Sequence, residues 1–139
     1  MKQTTLIIVT LLIGSIFTVS AQQRRPYELK KGIAGCDTIY TLPDDKASFP
    51  GGTSGMYNFF KENMQNSGKL TSINFSKRLT LELTVDDKGK IVKSRAINSF
   101  SPDYTKDALE ALKKAPELTP ARANGRNVCS YLLIPLTFE

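Results

Sequence analysis

From Arg78 to Asp86 the chain alternates without a break. Leu79, Leu81, Leu83 and Val85 fall on one side of an extended backbone, and Arg78, Thr80, Glu82, Thr84 and Asp86 on the other. A period of two is that of a β-strand with one dry and one wet face; a helix would scatter the same four apolar side chains around its circumference. The remaining elements are predicted as whatever covers the dry face and pairs with the two edges of this strand. Asp86-Asp87-Lys88-Gly89-Lys90 has the composition of a tight hairpin turn, with glycine supplying a positive φ and the acids shaping the turn. Ile91 to Asn98 reads as the return strand. Its alternation is weaker, with Val92 and Ala96 on one face and Ile91 and Ile97 on the other, so it is expected at an edge.

Two helices are predicted on either side of this hairpin. Phe49-Pro50-Gly51-Gly52 forms a sharp bend, after which Thr53 or Ser54 is expected to cap a helix. Met56, Phe59, Phe60 and Met64 make one helical stripe, and Asn66-Ser67-Gly68 ends it. Lys69 to Lys77 is expected as a loop, with Ile73 and Phe75 plugging the core edge. Ser101-Pro102-Asp103 opens the second helix by capping, first-turn proline and dipole complementarity. Tyr104, Ala108, Ala111, Leu112 and Ala115 form its stripe, and Pro116 stops it.

Glu117 to Asn127 reads as a loop with an Asn124-Gly125 turn, and Val128 to Phe138 as the last strand. Val128, Leu132, Ile134, Leu136 and Phe138 share its apolar face, interrupted by Ser130; Cys129, Tyr131 and Leu133 lie on the other. A proline donates nothing to a ladder, so Pro135 predicts an edge strand. The order helix, strand, strand, helix, strand, with a right-handed crossover, predicts an α+β two-layer sandwich. Its three-stranded antiparallel sheet has the order 2-1-3, with both helices on one face.

Composition alters this picture in three ways. With 139 residues, 40% of them hydrophobic, the chain suffices for one domain around one small core. It contains no histidine, which removes the commonest general base, the commonest metal ligand and every Ser-His or Cys-His scheme; no enzymatic role, cofactor or metal is expected. The formal charge of +6, from 19 basic and 13 acidic residues, is dispersed without interleaved aromatics and reads as a solvated basic surface, with contact to an anionic partner such as lipid headgroups or an acidic protein as the alternative; no nucleic acid partner is expected.

Residues 1–21 read as an export signal: Lys2 precedes an apolar run from Leu6 to Val19, and Val19-Ser20-Ala21 suits cleavage before Gln22. Export to the periplasm is expected. The alternative is an inner-membrane anchor through residues 4–21, with membrane association only if the segment is uncleaved. Residues 22–48 read as a flexible leader in which Cys36 to Leu42 could form a short docked strand, and residues 49–139 as the domain.

Phe49-Pro50-Gly51-Gly52, Leu79 to Val85 with Asp87-Lys88-Gly89-Lys90-Ile91, Ala108-Leu109-Glu110-Ala111-Leu112, and Ile134-Pro135-Leu136-Thr137-Phe138 follow one another in a suggestive order and spacing. Together they resemble the C-terminal domain of the TonB family of energy transducers, in its Bacteroidetes form. The resemblance implies a protein-binding module. A peptide segment of an outer-membrane transporter, or of another envelope protein, would add a strand to the free edge of the last strand. Carried onto this chain, the binding residues would be Val128, Cys129, Ser130, Tyr131, Leu132, Leu133, Ile134, Pro135 and Leu136. The family's long Pro-rich spacer has no counterpart in residues 22–48, so a soluble, anchorless relative is expected. The alternative use of the same edge is self-association, giving a homodimer or structural domain. Cys36 and Cys129 allow two readings: a disulfide that staples the leader to the last strand, or two free or buried thiols.

Overall fold

Leu79, Leu81, Leu83 and Val85 are all fully buried, as their alternation requires. The computed structural model describes residues 28–29, 33, 35–67, 70–71 and 77–138. The expected export segment, with Ile73 and Phe75, lies outside the described residues. The elements are β1 (Glu28–Leu29), β2 (Ile39–Tyr40), α1 (Gly52–Asn63), β3 (Leu70–Thr71), β4 (Lys77–Val85), β5 (Ile91–Asn98), α2 (Pro102–Leu112), β6 (Ala121–Ala123) and β7 (Arg126–Phe138).

The fold is α+β, with two helices and a mixed sheet. β5, β4 and β7 lie side by side in the expected order, and both pairings are antiparallel. The sheet does not stop there. Its order is β1-β2-β7-β4-β5, with β3 and β6 also pairing with β7. β2 runs parallel to β7, pairing Ile39 with Cys129 and Tyr40 with Ser130. The expected three-stranded, wholly antiparallel sheet is therefore too small, and β7 is an interior strand rather than an edge strand. The physical reason is one of range. Pro135 forbids donation at one residue, whereas β7 runs from Arg126 to Phe138 and takes further partners at both ends. β5 holds the edge position its weaker alternation predicted.

α2 opens on Ser101, Pro102 and Asp103 as expected, whereas α1 starts by a different device from the one expected. α1 opens on Gly51, in the left-handed region at φ 78°, with no side-chain cap; Thr53 and Ser54 lie inside the helix. A Cβ on Gly55 would run into the Pro50 carbonyl, so glycine is what lets the bend close on the first turn. Ser101 is the N-cap residue of α2, but its side chain makes no capping bond; the Thr105 hydroxyl instead donates to its carbonyl at 3.0 Å. The turn after α1 is held by Asp107 of α2, whose carboxylate accepts the backbone N–H groups of Gln65 at 3.0 Å and Asn66 at 2.8 Å.

One core gathers Met56, Phe60 and Met64 with the inward face of β4, Ala108, Ala111 and Leu112 of α2, and Ile134, Leu136 and Phe138 of β7. Each large apolar side chain fully buried there contributes about 1.5–3 kcal/mol. A second, smaller cluster joins Cys36, Ile39 and Cys129, with Ile33, Val92 and Tyr131 packed against it. The described part of the expected leader is thus docked on the domain. Asp45 exchanges backbone bonds with Arg122, Ser48 does the same with Thr119, and Ala47 is buried in the main core. Cys36 and Cys129 form a disulfide with an S–S distance of 2.08 Å, which resolves the two readings the sequence left open. Among the described residues, no helix is long and apolar enough to cross a membrane.

Candidate functional site

β7 is the element on which the sequence concentrates its candidate residues. Its alternation follows the pleat. Ile134, Leu136 and Phe138 are fully buried, while Leu133 and Pro135 on the other face are exposed, Leu133 at 55%; Thr137 on that face is buried. Val128 and Leu132 are half-buried against the main core. Ser130 takes its place in the same inward row, opposite Val85; it is fully buried, and its hydroxyl has no hydrogen-bond partner. On the other face Cys129 is buried by its disulfide, and Tyr131 packs on the second cluster.

The two edges of β7 differ. On one, β4 runs antiparallel from Val85 opposite Ser130 to Lys77 opposite Phe138. Ser130 also pairs with Tyr40, and Phe138 also pairs with Leu70, so β2 and β3 must lie on the side away from β4. At the N-terminal end β6 pairs Ala121 with Val128, Arg122 with Asn127 and Ala123 with Arg126. The hairpin between them turns on Asn124 at φ 51° and Gly125 at φ 74°, two successive positive φ values of the kind a two-residue hairpin demands.

The expected open edge from Val128 to Leu136 is therefore corrected at one end. Cys129 and Ser130 are paired on that edge by β2, and Val128 pairs with β6 beyond the end of the β4 ladder. Tyr131, Leu132, Leu133, Ile134, Pro135 and Leu136 pair with β4 alone among the described residues. Pro135 falls within this stretch, where a missing donor leaves no ladder partner unmatched.

The wet face around this stretch is polar. Arg95 donates to Glu82 at 2.7 Å across the β4–β5 pair. The Glu82 carboxylate, first through that bond and then through its charge, raises the Arg95 pKa further, so the guanidinium stays charged. A small hollow of about 100 Å³ separates this pair from Tyr131 and Ile33. Two acidic residues elsewhere tie turns. Asp86 accepts the N–H groups of Lys88 and Lys90, and Asp44 accepts that of Asn124.

Several short strands are not legible in the sequence: β1 lies in the expected leader, β3 in the expected Lys69–Lys77 loop, and β6 in the expected Glu117–Asn127 loop. β6 is too short to show alternation, although the Asn124-Gly125 pair between two brief non-glycine runs is the signal that marks a hairpin. β2 falls within the Cys36 to Leu42 segment expected as a possible docked strand; what the sequence does not report is its parallel pairing with β7, since parallel partners leave no turn to read. Comparison of the chain with protein-family models, with curated proteins and with solved structures gave no match in any of the three.

Proposed function

We propose that this protein is a peptide-capturing module of the TonB C-terminal kind, exported to the periplasm, in which α1, β4, β5, α2 and β7 make up a two-layer αββαβ unit. A segment of an outer-membrane transporter, or of another envelope protein, adds as a strand beside β7. One observation carries this reading. Among the described residues, pairing on the side of β7 away from β4 stops after Ser130 and resumes at Thr137. The interval Tyr131–Leu136 spans about 20 Å at strand rise, which accommodates a guest of about four to six residues. Its backbone would supply affinity, while Leu133 and Pro135, exposed on the outward face, would contact alternate guest side chains.

The test is a titration of the protein with peptides taken from transporter N-terminal segments, followed amide by amide in NMR spectra. Saturable shifts centred on Tyr131 to Leu136 are the expected result. No binding, or shifts confined to other elements, would count against it. The same interval would equally admit β7 of a second copy, which is the structural, self-associating alternative. Mass in solution separates the two: a monomer that binds peptide supports capture, and a stable dimer that does not bind supports self-association.

A further inference from the structure

A second surface lies at the other end of the sheet, with β4 between it and β7. We infer that the outer edge of β5, together with the trough between β5 and α2, binds an acidic, extended peptide segment of another protein. The inference does not rest on the β7 site.

β5 is the terminal strand of the sheet order, and among the described residues its only strand partner is β4. Half of its backbone N–H and C=O groups therefore point away from the sheet. The register slips at both ends, around Val92 and Ile97, and leaves Lys93 to Ala96 as the regular stretch. A hollow lined by Lys93 and Ser94 of that stretch adjoins, at Leu109 of α2, a second one lined by residues 99–102 and α2. One, about 440 Å³, lies between the start of β5 and Leu112 and Pro116. The other, about 530 Å³, lies over Phe100, Pro102 and Thr105. Phe100 and Ile97 are two of the four large hydrophobic side chains exposed among the described residues. A free edge thus runs beside an apolar-floored trough, which is the arrangement strand addition uses: main-chain bonds along the edge, and pockets for alternate side chains.

Charge selects the occupant. Lys90, Lys93 and Lys113 border the first hollow and Lys106 the second, against Glu110 and Glu117. Glu110 is already matched by Lys113 at 2.7 Å, and no other ion pair is made by these groups among the described residues. A second copy would bring its own Lys90 and Lys93 to the same edge in a chain of charge +6, so like charges oppose edge-to-edge self-association. An acidic guest meets the opposite situation. Its carboxylates fall on the outward face of β5, where Lys93 stands opposite Thr84, while its alternate apolar side chains enter the trough.

The test uses two end-capped synthetic peptides of strand length, one alternating Glu and Val, the other alternating Lys and Val. Each is titrated into the purified protein while backbone amides are followed by NMR. The Glu/Val peptide is expected to shift the amides of Ile91 to Asn98 and of Leu109 saturably, with binding that weakens as salt is added. The Lys/Val peptide is expected to leave them unchanged. The double variant Lys90→Glu, Lys93→Glu replaces exposed side chains and is expected to weaken Glu/Val binding about tenfold, with its free spectrum otherwise preserved. Equal response to both peptides, or no response to either, overturns the inference. Shifts at Tyr131 to Leu136 without shifts in β5 overturn it while favouring the β7 site.

Discussion

Gly89 shows how one residue ties two elements together. It closes the β4–β5 hairpin at φ +88°, and its carbonyl accepts the Leu118 N–H at 2.8 Å. A Cβ there would strike the Leu118 carbonyl. Gly89→Ala is therefore expected to destabilise the protein by about 1–3 kcal/mol, measured by chemical denaturation, since it adds a positive-φ penalty to a steric clash. The need for glycine in this turn is legible from the sequence; the clash is not, because it depends on a loop nearly thirty residues away. Ser130 is the converse case. It reads as a break in an apolar row, and the structure keeps it in that row with its hydroxyl buried and unpartnered. Ser130→Ala is expected to raise stability by about 1 kcal/mol in the same measurement. Leu133 is 55% exposed in the unbound protein. Leu133→Asp should leave the denaturation midpoint nearly unchanged, within about 0.5 kcal/mol, while weakening capture of a guest beside β7. A loss of stability instead would show Leu133 to be a structural residue.

Among elements, those with strong periodicity were legible. β4, both helical stripes and the inward row of β7 came directly from the spacing of apolar residues, because burial acts on those side chains one by one. Strand neighbours were less legible, because pairing is made by backbone groups that carry no side-chain signature. Pro135 marks one place without a donor and says nothing about Ser130 or Thr137, where β2 and β3 attach. β2, like β3, attaches through only two paired residues, and for β2 the disulfide supplies the lasting link. The bond joins cysteines 93 positions apart. Replacing both by serine is expected to cost about 2–5 kcal/mol. Amide exchange should speed up at Ile39 and Tyr40 and stay slow along the β4–β7 ladder. Equal loosening of both ladders would show that the bond supports the sheet as a whole rather than the strap alone.

For the whole molecule, the α+β class and the central three-strand order followed from the sequence, but the size of the sheet did not. Cys36 to Leu42 reads as a possible docked strand and Pro43 to Lys46 as its break, and in the structure Cys36, Ile39 and Ala47 are buried. Their burial depends on surfaces formed by distant segments, which no local pattern reports. The candidate site changes with the scale of view. As a residue list it ran from Val128 to Leu136; within the assembled sheet, its first three members are engaged by β6 and β2. The interval Tyr131–Leu136 remains the proposed place for a guest, and the basic trough on β5 lies at the far side of the same sheet. The most direct measurement is hydrogen exchange along β7, first in the free protein and then with a captured peptide. Alternate amides between Tyr131 and Leu136 should exchange fast in the free protein and become protected when the peptide is added. Uniform protection of all of them before any peptide is present would mean the protein's own chain already fills that place, and would contradict strand addition there.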